Sequence, residues 1–302
     1  MTMVQPVVAD SSQAEGGGRL RCADCGSQRF REPVYGCLTQ CRECSYLFYP
    51  HHPAAPAAAL YDAGYFTGEE YLDYVGQRSA LAKTFARYLR MMRRYGVKRG
   101  RLFEVGCAHG FFLDQARATF EVAGMDVSPV ATTYAREQLE LPVQCGEFAD
   151  VRPREPFDVV CMWETLEHVF EPRAYVAQAS AMLVPGGHLF LTVPDIGSLT
   201  ARLRGRHWRQ IHPPTHVNYF SGTTLTRLLV QVGFHVRGLH HVGTHREVTN
   251  MLHNLHLFSK QPVVRWSAAQ ALAWTRELWG HAHLYLNLFD LLFVAAQKGP
   301  AG

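Results

Sequence analysis

A short apolar segment runs into a glycine-bearing turn at Arg101-Leu-Phe-Glu104-Val-Gly106-Cys-Ala108-His-Gly110-Phe-Phe, and a second apolar segment ends at Gly124-Met-Asp126. This pairing constrains the fold more than any other part of the chain. It reads as strand, turn, helix start and second strand, with an acid 20 residues after the first glycine. Open α/β sheets build nucleoside sites in this way. Glycine lets the backbone approach a ligand, and the acid at the tip of the next strand accepts hydrogen bonds from a ribose diol.

The residues of the turn select among ligands. A dinucleotide fold uses G-x-G-x-x-G, with pyrophosphate on the helix N-terminus. Here the corresponding positions are Gly106, Ala108 and Phe111, so the third glycine is missing. Glu104 stands just before the turn, where a carboxylate repels phosphate and suits a cation, directly or through water. S-adenosylmethionine carries a sulfonium and an ammonium and no phosphate, so it fits this charge pattern.

Alternation extends the same architecture. Strands are expected at 101–105, 121–125, 142–145, 158–162 and 188–193, with helices between most of them and a last strand at 289–298. A helix is expected from Gln77 to Tyr95, with Leu81, Phe85, Tyr88, Leu89 and Met92 at helical spacing. Another begins at Ser221, a good N-cap residue. Such alternation implies a doubly wound α/β sheet, mostly parallel, with right-handed crossovers. Residues 240–284 fit it poorly and read as a helical insertion. Residues 1–19 read as a disordered tail, 20–50 as a separate cysteine module, 51–76 as a linker with an aromatic lid segment, and 77–302 as the main domain.

Cysteine spacing defines the module. Cys22, Cys25, Cys41 and Cys44 make two C-x2-C pairs separated by 15 residues, out of eight cysteines in the chain. Two tight turns, each offering two thiolates, can surround one tetrahedral Zn2+, and four ligands close the site, making it structural. Cys37 could compete, but C-x2-C geometry favours Cys41 and Cys44. The set reads as a zinc ribbon. Arg21, Arg29, Arg31 and Arg42 are offset there by Asp24, Glu32 and Glu43, so no phosphate-binding face results.

Composition excludes several classes. The 302 residues carry a net charge of only +4, which argues against nucleic acid as a partner. No secretory signal and no span long enough for a bilayer is visible, so a cytoplasmic protein without a membrane partner is expected. Arg202, Arg204, Arg206 and Arg209 around Trp208 read as a solvated basic helix rather than an anion site. His235, His240, His241, His245, His253 and His256 match no ligand spacing, and no second metal is expected from them.

Six motifs in order resemble the class I S-adenosylmethionine-dependent methyltransferases, and within them the bacterial small-molecule enzymes with an N-terminal zinc module. These are Glu104 to Gly110; Asp126 within Gly-Met-Asp-Val-Ser; Phe157-Asp158-Val-Val; Trp163-Glu164-Thr-Leu-Glu167-His168-Val; Leu183-Val-Pro-Gly-Gly-His-Leu; and His212-Pro-Pro-Thr-His216-Val-Asn-Tyr-Phe-Ser. The family's middle glycine is Ala108 here. The resemblance implies a seven-stranded Rossmann-like methyltransferase sheet. It implies cofactor contacts from Glu104, Gly106, Ala108, Gly110 and Asp126, adenine contacts from Glu147 and Phe148, and a cleft position for Trp163. Tyr65, Tyr71 and Tyr74 would fold over the cofactor.

The activity it implies is methyl transfer to an oxygen or carbon of a small molecule, such as a sugar or secondary metabolite. His216 and His168 are the candidate general bases, since histidine titrates near neutrality. Two other readings keep the cofactor: an RNA or protein acceptor with the ribbon as docking module, and a non-catalytic cofactor-binding domain, which Ala108 motivates.

Overall fold

Strand residues that alternate between two apolar faces need cover on both sides, and the arrangement of the chain supplies it. In a computed structural model, residues 20–51, 74–248 and 282–300 are described, together with a few positions between 261 and 271. The tail 1–19, most of the linker, Tyr65 and Tyr71 lie outside the described residues.

The main body is a seven-stranded sheet built on β4 (Gly100–Val105), β5 (Phe120–Asp126), β6 (Val143–Cys145), β7 (Phe157–Trp163) and β8 (Leu183–Pro194). β10 (Phe234–His241) and β13 (Leu291–Lys298) complete it. Its order is β10-β13-β8-β7-β4-β5-β6. The pairs β4–β5, β4–β7, β5–β6 and β7–β8 are parallel, and β13 runs antiparallel between β8 and β10. The mostly parallel sheet expected from the sequence is therefore present, with one reversed strand.

Successive residues face opposite layers. Phe103, Val160, Met162, Leu189 and Leu191 enter one core; Leu102, Val159, Cys161, Trp163 and Phe190 enter the other. The second core is capped by α1 (Arg78–Arg94), whose Phe85, Tyr88, Leu89 and Met92 are buried as the helical spacing requires. Tyr88 sits 4.8 Å from Trp163 and Phe85 5.5 Å from Phe112, centroid to centroid. Around the sheet lie α2 (Phe111–Ala116), α3 (Pro129–Leu139), α4 (Pro172–Met182), α5 (Leu199–Arg204) and α6 (Gly222–Gln231). Ser221 caps α6 through a reciprocal bond with Thr224.

Two expectations need correction. Residues 240–241 belong to β10, and the ends of the expected helical insertion form a two-stranded antiparallel ribbon, β11 (Thr244–Glu247) with β12 (His283–Leu286). The residues between them lie mostly outside the described set. β10 escaped sequence reading because it is an edge strand: only Phe234 is buried among its eight residues. Its partner is the backbone of β13, which hydrophobic patterning does not report.

The cysteine module is not self-contained. Its strands β1 (Phe30–Val34), β2 (Leu38–Cys41) and β3 (Leu47–Phe48) form a four-stranded sheet with β9 (Asn218–Tyr219), which comes from the loop before α6. Arg227 on α6 donates to Asp24 Oδ2 at 3.1 Å and to the Cys44 carbonyl at 2.9 Å. Asp24 is buried, so removing its cation leaves a carboxylate unpaired in a dry site. Arg227→Ala is predicted to lower stability by about 2–4 kcal/mol, less than the full cost of orphaning a buried charge because the Arg227 side chain is 31% exposed. Chemical denaturation of the full chain measures it; a change under 0.5 kcal/mol, about the scale of an ordinary surface substitution, contradicts it.

Candidate functional site

The carboxyl ends of β4, β5 and β7 converge where the glycine turn leaves the sheet. Parallel sheets bind ligands at this edge. Gly106 has φ +71° and Gly110 φ +79°, values that only glycine adopts without strain. Space also demands glycine: a Cβ at Gly106 would stand 2.7 Å from Thr165 Oγ1, and one at Gly110 would stand 2.5 Å from Leu141 Cδ1. Both glycines thus serve the packing of the turn against β7 and α3. Ala108, in the family's middle glycine position, adopts φ +45° despite its methyl group. Such strain costs about 1–3 kcal/mol and persists where surroundings enforce it.

Two contacts enforce it: the Gly110 N–H bond to the Cys107 carbonyl at 2.8 Å, which closes the turn, and Asp126. Its Oδ2 accepts the Ala108 N–H at 2.8 Å, and its Oδ1 accepts the Ser128 N–H at 2.9 Å. One carboxylate thus holds the turn after β4 and the start of α3. Asp126 is 8% exposed, and each oxygen keeps capacity for a further donor. Burial raises its pKa while the backbone donors pull it back. Glu104 is more deeply placed. Burial first, and the Asp126 charge second, push its carboxyl well above the usual range. Its Oε2 is buried without a hydrogen-bond partner. A buried polar atom of this kind costs about 1–3 kcal/mol. The ammonium of a methionyl group, or water carried with it, would satisfy Glu104. The residues present therefore fit S-adenosylmethionine.

The other expected cofactor contacts divide. Glu147 is exposed just after β6. Phe148 is not at the cleft. It is fully buried, with Phe103 at 6.3 Å and Tyr175 at 5.3 Å, so its ring is committed to the core. Trp163 is likewise turned inward, with Tyr88 at 4.8 Å, Phe112 at 5.1 Å and Phe293 at 5.8 Å. Strand alternation is the reason: spacing locates the end of β7 but not the face on which its last residue lies. Glu164, the next residue, is exposed at φ +49°. Tyr74 stacks on Phe111 at 5.6 Å and lies 5.1 Å from the His109 ring, at the lip of the turn.

His168 and His216 come together from different loops, with ring centroids 4.7 Å apart. His168 ends a short 3-10 turn, Leu166–His168, after β7. His216 precedes β9, and His212 lies against it at 3.8 Å. The loops are stitched by Val217 N–H to the Glu167 carbonyl at 2.9 Å and by Asn218 Nδ2 to the Leu166 carbonyl at 3.1 Å. His168 Nδ1 is 3.0 Å from the Thr215 carbonyl, and His216 Nδ1 is 3.1 Å from the Gln210 carbonyl. A carbonyl can only accept, so both Nδ1 atoms carry the proton. Burial holds His168 down to about 4 and His216 well below its ordinary value, with neighbouring histidines adding to the shift for both. Both rings are neutral at pH 7. Sequence reasoning gave no role to Glu167, which is 1% exposed beside them with neither carboxylate oxygen hydrogen-bonded. It stood inside a quoted motif, but spacing alone does not distinguish a buried acid from a solvated one.

The four cysteines of the module also converge. Cys22 and Cys44 have sulfurs 3.5 Å apart, as do Cys25 and Cys41, and all four sulfurs lie within 4.8 Å of one another. The edge of a zinc–thiolate tetrahedron is about 3.8 Å, from bonds of about 2.3 Å. The donor set fits such an ion, and Cys37 is outside it. Arg202, Arg204 and Arg206 are exposed, whereas Arg209 lies 3.5 Å from the buried Asp290 carboxylate. No helix among the described residues is long and apolar enough to cross a membrane.

Several known proteins are similar to parts of this chain. A 107-residue segment is 36% identical to a ubiquinone biosynthesis O-methyltransferase of Alkalilimnicola ehrlichii, over 32% of this chain and 42% of that protein. The corresponding enzyme of Xylella fastidiosa is 29% identical over 151 residues, 47% of this chain and 52% of its own length. The match thus spans about half or less of the curated relatives' length. Among solved structures, magnesium protoporphyrin IX methyltransferase from Synechocystis, with bound S-adenosylhomocysteine, aligns at TM-score 0.49 and 14% identity over 78% of this chain and 91% of that one. A methyltransferase-domain family model matches residues 74–239, which include β4 to β9, the glycine turn, Asp126 and both histidines. Because that match covers more than half of its length, the chain belongs to the methyltransferase-domain family.

Proposed function

We propose that this protein transfers a methyl group from S-adenosylmethionine to an oxygen of a small molecule. Carbon is the other atom the site could serve. The observation that carries the reading is the buried, unpartnered Glu104 carboxyl oxygen beside Asp126 at the sheet's carboxyl edge. A crevice with two acids and no phosphate-binding glycine pattern favours a ligand that brings positive charge and a diol. The O-methyltransferase names of the sequence relatives support oxygen as the accepting atom.

Bound there, S-adenosylmethionine supplies an electrophilic methyl carbon open to in-line attack. This chain's residues do the rest. Asp126 holds the ribose hydroxyls with the lone pairs its two backbone donors leave over. Glu104 receives the positive end of the methionyl group. Glu147 at the rim accepts from the adenine amine. Orientation and exclusion of water can supply about 7–11 kcal/mol of barrier reduction, whereas a proton acceptor typically adds about 10²–10⁴-fold. Positioning is the larger part. The neutral His168 and His216 supply the basic element of the site, from the two loops that face the acceptor.

The four cysteines are read as the ligands of a structural Zn2+, making residues 20–50 a zinc ribbon. Its role is to brace β9 and the His216 loop. A segment this short buries little core, and metal binding contributes about 10–16 kcal/mol to folding modules of this type.

Asp126→Asn is predicted to weaken S-adenosylmethionine binding by about 10–150-fold, from about 1.5–3 kcal/mol per hydrogen bond to a charged acceptor. Titration calorimetry reads this, and wild-type affinity in the variant removes Asp126 from the cofactor site. Cys41→Ser is predicted to lose one metal equivalent per chain and to melt at a lower temperature. Elemental analysis of purified protein checks it; unchanged metal content means the cysteines do not form the site.

A further inference from the structure

Glu167, His168 and His216 place one carboxylate oxygen and two ring nitrogens within 4.8 Å of one another. We propose that this cluster binds a divalent transition-metal ion of the zinc class, separate from the four-cysteine site, at the carboxyl edge of the sheet. This rests on the methyltransferase reading only for the use the ion would serve. It deepens that reading by making the basic element of the site a metal centre.

Three observations converge. The first is Glu167. It is 1% exposed, and neither Oε1 nor Oε2 has a hydrogen-bond partner. A buried carboxyl group that satisfies none of its bonding capacity is rare, because desolvation without compensation is costly. Arg and Lys supply no charge to it among the described contacts. A bound cation supplies both the charge and the bonds.

The second is the orientation of the imidazoles. Each Nδ1 is engaged by a backbone carbonyl, Thr215 for His168 and Gln210 for His216. This fixes the tautomer and leaves Nε2 as the nitrogen with a lone pair to offer. Metal-binding histidines have this arrangement almost without exception: the other ring nitrogen donates to a carbonyl or carboxylate that orients the ring. The third is the donor set itself. Two imidazoles and one carboxylate are the ligands of open zinc and non-haem iron sites, in which further positions are left for water or substrate.

The distances indicate a poised site. Ligand atoms around a tetrahedral zinc at about 2.05 Å stand about 3.4 Å apart. Rotation of the Glu167 side chain and small ring movements would close the present separations to that value. The loops that carry the ligands are already fixed to each other by the Val217–Glu167 and Asn218–Leu166 bonds. The cysteine module fixes them in turn, since Tyr46 donates to Asn218. The ligands come from positions 167, 168 and 216, so a search for short histidine spacings passes them over. This departs from the sequence-based expectation of no second metal.

An ion here would polarise an acceptor hydroxyl bound at its open position, lowering the cost of losing that proton. His168 and His216 would then serve as ligands, with the proton passing to solvent.

Metal binding to the full chain tests this without cofactor or acceptor. After saturation with Zn2+ and removal of excess, wild type is expected to hold two equivalents by elemental analysis, and Glu167→Gln and His216→Gln one each. Loading with Co2+ separates the sites. The four-thiolate site gives sulfur-to-cobalt charge-transfer absorption, whereas the proposed site adds only weak visible bands. Those weak bands should vanish in Glu167→Gln while the thiolate absorption stays. Glu167→Gln is nearly isosteric and removes a buried acid, so the variant keeps its fold; an unchanged melting profile in metal-free buffer verifies that. One equivalent in saturated wild type overturns the proposal, as does a second equivalent retained with the same affinity in both variants. Failure of S-adenosylmethionine to bind would defeat the methyltransferase reading and leave this result untouched.

Discussion

One carboxylate organises the active edge of this protein. Asp126 accepts N–H groups from Ala108 and Ser128, and so joins the turn after β4 to the beginning of α3. Together with the Gly110 N–H to Cys107 carbonyl bond that closes the turn at 2.8 Å, it holds Ala108 at φ +45°. The same group keeps enough acceptor capacity for a diol. Structural and ligand-binding roles are usually assigned to different residues; in the proposed site they would share two oxygens. The substitution of alanine for the family's glycine is tolerated on these terms, because the hydrogen bond to Asp126 offsets the strain that the methyl group introduces.

The second organising feature is the way the cysteine module is attached. It contributes three strands to a sheet whose fourth, β9, belongs to the loop carrying His216. Arg227 and Tyr46 fasten it to α6 and to Asn218. Folding of the module and the shape of the histidine cluster are therefore coupled. A metal held by the four cysteines would therefore be coupled to the far side of that loop.

Much of this was legible in the sequence, and the reasons are physical. Central strands such as β4 and β7 are buried on both faces and read as short apolar runs. Glycines at 106 and 110 are demanded by backbone conformation, so they stand out. The two C-x2-C pairs leave their ligands little freedom. What escaped was set by partners that the chain reaches only after folding. β9 is two residues long and exists because Leu47 and Phe48 lie beside it. β10 buries only Phe234 fully, with Val236 and Leu239 partly covered, and is held by the backbone of β13. Phe148 and Trp163 stand at or just past strand ends, but their rings pack among other aromatic side chains, and spacing does not give the face. Glu167 was visible as a letter in a motif; its significance lies in the absence of any partner, which is a property of the packed interior.

The central claim is that the turn at 104–110 and Asp126 form the adenosyl site. A crystal structure of the full chain grown with S-adenosylhomocysteine tests it most directly. The account predicts density over that turn, with both ribose hydroxyls on Asp126 and the methionyl ammonium directed towards Glu104. Density for the ligand elsewhere, or an empty crevice at saturating concentration, would contradict it.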